Sequence, residues 1–135
     1  MENSIYTITP PDMRLSTRGP SICVLTTDGT FLAEVESCHE DLFKTVSVNI
    51  YHPAGEVTGD NLAWTIGVMH LCDNVFVDLD TVSNLGLLAA VTSNATVTYV
   101  SRNKNNKDVI RLFNVCSDYN VYDSITDYFD LILDH

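Results

Sequence analysis

Asn74–Leu79 reads NVFVDL, with apolar side chains at Val75, Phe76, Val77 and Leu79. A strand that exposes one face alternates apolar and polar residues, so a run this continuous marks a strand covered on both faces. Such a strand needs helices above and below it, and parallel neighbours reached through crossovers. The run therefore points to an α/β fold built around a parallel sheet.

The flanking segments supply the remaining elements. Thr45–Tyr51 alternates Val46, Val48 and Ile50 with polar neighbours, which predicts a strand with one buried face, broken at His52-Pro53-Ala54-Gly55. Asp60 or Asn61 caps a helix through Leu71 that turns Leu62, Ile66 and Met69 inward, with Trp64 a further candidate. Ser83 or Asn84 opens a short helix over Leu85–Val91, and Ala95–Ser101 is the next strand. Lys107–Cys116 has two readings. Alternation of Val109, Arg111, Phe113 and Val115 suits a hairpin strand after the polar turn Asn103–Asn106. The spacing of Val109, Ile110, Leu112, Phe113 and Cys116 suits a helix face, and with Asn106 as its cap the helix is the better fit. Asn120–Tyr122 reads as a short strand, and Asp123 or Ser124 opens a final helix that buries Ile125, Tyr128, Phe129 and Ile132.

The N-terminal portion has a different grammar. Ile5–Ile8 predicts a short strand, followed by an irregular arm containing Pro10, Pro11, Gly19 and Pro20. Ser21–Thr27 and Thr30–Glu36 are β-rich runs joined by Asp28-Gly29, a pair that tolerates positive φ at both turn positions. A β-hairpin is expected there, with Cys38–Phe43 as a linker or helical turn. The predicted fold is α/β: one domain over residues 1–135, with a mixed, largely parallel central sheet and flanking helices. Residues 1–43 form its arm and N-terminal β-hairpin, and residues 44–135 its βαβαβαβα portion.

Charge narrows the function classes. Against 18 acidic residues stand 7 basic ones, a formal net charge of -11. A chain of this sign is repelled by phosphate backbones and anionic membranes, so nucleic acid and lipid headgroups are excluded as partners and a basic-surfaced protein is favoured. The start, Met1 to Tyr6, has neither a basic flank nor a long apolar stretch, so a cytoplasmic location is expected. In that reducing setting Cys23, Cys38, Cys72 and Cys116, which form no CxxC pair, read as buried small hydrophobes. Asp123, Asp127, Asp130 and Asp134 recur at i, i+4, i+7 and i+11 and share one stripe of the final helix. That stripe is a solvated face or an electrostatic docking surface.

Three stretches carry a resemblance to a known family. Val46–Tyr51 followed by Gly55-Glu56-Val57 is similar to an early strand with its G-E-L-D turn, with Thr58 where that turn has aspartate. Val75–Leu79 followed by Val82 is similar to a V-V-L-D-L-S-x-V central strand, and Val121-Tyr122-Asp123-Ser124 to an I-Y-D-S turn before a closing helix. In this order they resemble the STAS domain of anti-sigma-factor antagonists over about residues 44–135. The resemblance implies a non-catalytic regulatory module that docks on a protein partner, a regulatory kinase among them, and binds no cofactor. It places the partner-binding residues at Asp80, Thr81, Ser83 and Asn84, with Asp123, Asp127 and Asp130 beside them. The family's D-S-S-G-L phosphoacceptor motif is not intact, since this region reads Asp78-Leu79-Asp80-Thr81-Val82-Ser83-Asn84-Leu85-Gly86. With a gap that aligns Leu85-Gly86 to the motif's end, Ser83 lies nearest the phosphoacceptor position. The same serine also reads simply as a helix cap.

Catalytic and metal chemistry is sparsely signalled. Cys38-His39, and His70 with Cys72, are the candidate ligand pairs, but neither has the spacing of a metal site and no metal is expected. A nucleophilic pairing of Cys72 with His52 needs a low-pKa thiol, which apolar flanks oppose. The glycines assemble into neither GxGxxG nor a phosphate-binding loop. The chain is not expected to be an enzyme.

Overall fold

The computed structural model describes residues 4–10, 20–42, 48–101 and 121–122, with 4, 39–42 and 121–122 described by their backbone alone. The elements are β1 (Ser4–Ile8), β2 (Ser21–Leu25), α1 (Gly29–Leu42), β3 (Asn49–Pro53), α2 (Leu62–Leu71), β4 (Asn74–Asp78), α3 (Asn84–Thr92), β5 (Val97–Val100) and β6 (Val121–Tyr122). The strands form one sheet in the order β1-β3-β2-β4-β5-β6, and each described pair is parallel. The α/β class and the parallel sheet stand as read from the sequence. Without β1 the order is that of the flavodoxin-like doubly wound sheets, and β1 extends the sheet beyond β3.

Period-two alternation sorts the central strands between two cores. Ile22, Val24, Ile50 and Phe76 point to the side covered by α1, where they meet Phe31 and Val35. Cys23, Leu25, Tyr51, Val75 and Val77 point to the side covered by α2 and α3, against Val68, Met69, Leu87, Ala89 and Ala90. Val75, Phe76 and Val77 of β4 are all buried, as a strand covered on both faces requires.

The expected hairpin is not formed. Thr30–Glu36 lies within α1, and β2 and β3 run parallel. Asp28 starts a helix where a turn was read: its Oδ1 accepts from Thr30 N at 2.9 Å and its carbonyl from Leu32 N at 3.4 Å. Phe31 and Val35, an i, i+4 pair, are fully buried on the sheet, and that burial outweighs the β-propensity of the run. The expected linker from Cys38 is the end of the same helix, which extends to Leu42.

Smaller differences have equally local causes. β3 continues through Pro53, where a break was expected. The missing proline donor is absorbed at the strand end, because Ala54 N donates to Ile8 O at 2.8 Å. Helix α2 buries Thr65, Val68 and Met69, leaving Leu62, Trp64 and Ile66 half-buried. Residues 62–71 are apolar on nearly every side, so periodicity alone does not choose the inward face. Lys107–Cys116 and the final helix with Asp123, Asp127, Asp130 and Asp134 lie outside the described residues.

Candidate functional site at the carboxyl end of the sheet

From β2 the chain passes to β3 on one side, then crosses to β4 on the other. In open α/β sheets the crevice beyond the carboxyl ends of the strands at such a reversal is where ligands bind. Here that crevice lies beyond Leu25 of β2 and Asp78 of β4.

A hydrogen-bond network ties its two sides together. Asp78 is fully buried, and its Oδ2 accepts from Thr26 Oγ1 at 2.7 Å and from Thr81 Oγ1 at 3.1 Å. Its Oδ1 accepts from Asp80 N at 3.1 Å, folding the β4–α3 loop over the strand end. Thr27 N donates to Thr81 Oγ1 at 3.1 Å and Asp28 N to Thr26 Oγ1 at 2.9 Å, so the β2–α1 loop joins the same network. His52 of β3 completes it, with Nε2 2.8 Å from the Thr26 carbonyl and therefore carrying the proton.

Ser83 links the β4–α3 loop to the β3–α2 loop. It is the N-cap of α3, accepting from Gly86 N at 3.0 Å and donating to Val57 O at 2.9 Å. Truncation to alanine removes both bonds and is expected to cost about 1–2 kcal/mol of stability, measured by urea denaturation. Gly86 is enforced by this close approach. A Cβ there would sit 2.6 Å from Val82 Cγ2 and 3.3 Å from Ser83 Oγ. Val82 is β-branched and buried, so it yields little. Gly86→Ala gains about 1 kcal/mol of helix propensity yet is expected to lose about 1–2 kcal/mol net, read as a lower urea midpoint.

The crevice between these loops, lined by Thr26, Thr27, Pro53, Glu56, Thr81 and Ser83 among others, holds a space of about 20 Å³. That is room for a water molecule and far below the volume of a metabolite site.

Of the residues singled out in the sequence, Asp80, Thr81, Ser83 and Asn84 fall together on the β4–α3 loop and the start of α3, with Asn84 exposed. Asp123, Asp127 and Asp130 lie outside the described residues. Thr26, Thr27 and Asp78 were not singled out. Their signal was a polar residue directly after, or closing, an apolar strand run.

The chemical pairings weighed in the sequence do not assemble. His52 sits at the carboxyl end of the sheet. Cys72 lies at the amino end, just before β4, where neighbouring Asp73 accepts from Ser21 N at 2.9 Å. Burial, with a smaller contribution from Asp73, pushes the Cys72 thiol up to about 12 against a Ser21 hydrogen bond, and burial raises Cys23 well above its ordinary value. Both thiols stay protonated at neutral pH. His70 places Nδ1 3.2 Å from Ser93 O. No group of three or more His, Cys, Asp or Glu side chains suited to a metal occurs among the described residues, and none of their helices is long and apolar enough to cross a membrane. Among known proteins, no family model, no curated protein and no solved structure matches the chain.

Proposed function

We propose that the domain is a non-catalytic regulatory module that presents the β4–α3 loop and the first turn of α3 to a partner protein, as the STAS resemblance implies. The observation that carries this reading is the crevice at the strand reversal. Among the described residues Thr26, Asp78 and Thr81 tie its two sides together, which holds the β4–α3 loop at its rim as a fixed outer surface. Asp80, Thr81, Ser83 and Asn84 make up that surface.

Ser83 is the point of control in this reading. Its hydroxyl donates to Val57 O, and a phosphorylated serine has no hydroxyl proton to donate. Phosphate on Ser83 therefore breaks the link between the two loops while placing negative charge at the N-terminus of α3, where that charge is stabilised. A partner that docks on the unmodified loop loses its surface when the link opens. The partner is a regulatory kinase or a protein that such a kinase displaces.

The test is a photo-reactive side chain installed at exposed Asn84, with exposed Thr96 at the opposite end of the sheet as control, in cells that make the protein. Capture of one protein from Asn84 and not from Thr96, abolished by Ser83→Asp, is expected. Equal capture at the two positions would sink the proposal.

The net charge of -11 favours a second reading, an acidic inhibitor that blocks a basic or nucleic-acid-binding protein by electrostatic docking. Its signature is an affinity that falls steeply between low and high salt, and a salt-independent affinity contradicts it.

A further inference from the structure

We draw no further inference here: the strongest candidate, the cluster of the buried Asp78 carboxylate with Thr26 and Thr81 at the carboxyl ends of β2 and β4, belongs to the site already described.

Discussion

Asp78→Ala is expected to destabilise the domain by about 4 kcal/mol, the larger of the two principal effects predicted here. The carboxylate is fully buried and accepts from Thr26 Oγ1, Thr81 Oγ1 and Asp80 N. Hydrogen bonds to a charged acceptor are worth about 1.5–3 kcal/mol each, and truncation removes three of them at once from a buried site. Asp78→Asn keeps the shape and one oxygen and turns an amide toward the two threonines, whose hydroxyls can reverse to accept. It is expected to cost about 1–2 kcal/mol. Urea denaturation of the three proteins gives the ordering. Equal stability of the alanine variant and the parent would mean that the network does not hold the crevice shut.

Alkaline pH is the second large effect. Burial holds the Cys72 thiol at about 12 in the fold, against an ordinary value of 9.0 in the unfolded chain. Below pH 9 the thiol is protonated in both states and stability is indifferent to it. Between 9 and 12 the unfolded chain releases a proton that the fold retains, so unfolding gains about 1.4 kcal/mol per pH unit. By pH 11 the loss from Cys72 alone is about 3 kcal/mol, and Cys23, raised in the same direction, adds to it. In Cys72→Ala the slope of unfolding free energy against pH above 9 is expected to be shallower by about 1.4 kcal/mol per unit. Parallel slopes in the two proteins would show that Cys72 ionises as readily in the fold as outside it.

The parts of the fold that were legible in the sequence are those whose signal is local. β4 was legible because Val75, Phe76 and Val77 leave no exposed face, and α3 because a serine cap stands directly before an apolar helix. Asp28-Gly29 misled for an equally local reason: an aspartate before a glycine suits both a tight turn and a helix start. The decision came from Phe31 and Val35 packing on β2 and β3, a contact that the run TFLAEVE does not announce. The inward face of α2 was displaced because nearly every side of it is apolar, so the sheet rather than the pattern selects Thr65, Val68 and Met69.

The site was half legible. Asp80, Thr81, Ser83 and Asn84 were found because they are neighbours along the chain. Thr26 and Asp78 are 52 residues apart, and only the strand order that sets β2 beside β4 makes them partners. The same order separates His52 from Cys72, since they fall at opposite ends of a parallel sheet. Side-chain identity alone could not supply either fact.

The central claim is that a partner reads the β4–α3 loop, and amide hydrogen exchange of the domain, free and bound to the protein captured from Asn84, tests it most directly. Slowed exchange is expected at residues 79–86 and, through the Ser83 link, at Val57 and Thr58. Protection confined to α1, or to β1 and its edge, with residues 79–86 unchanged, would contradict it.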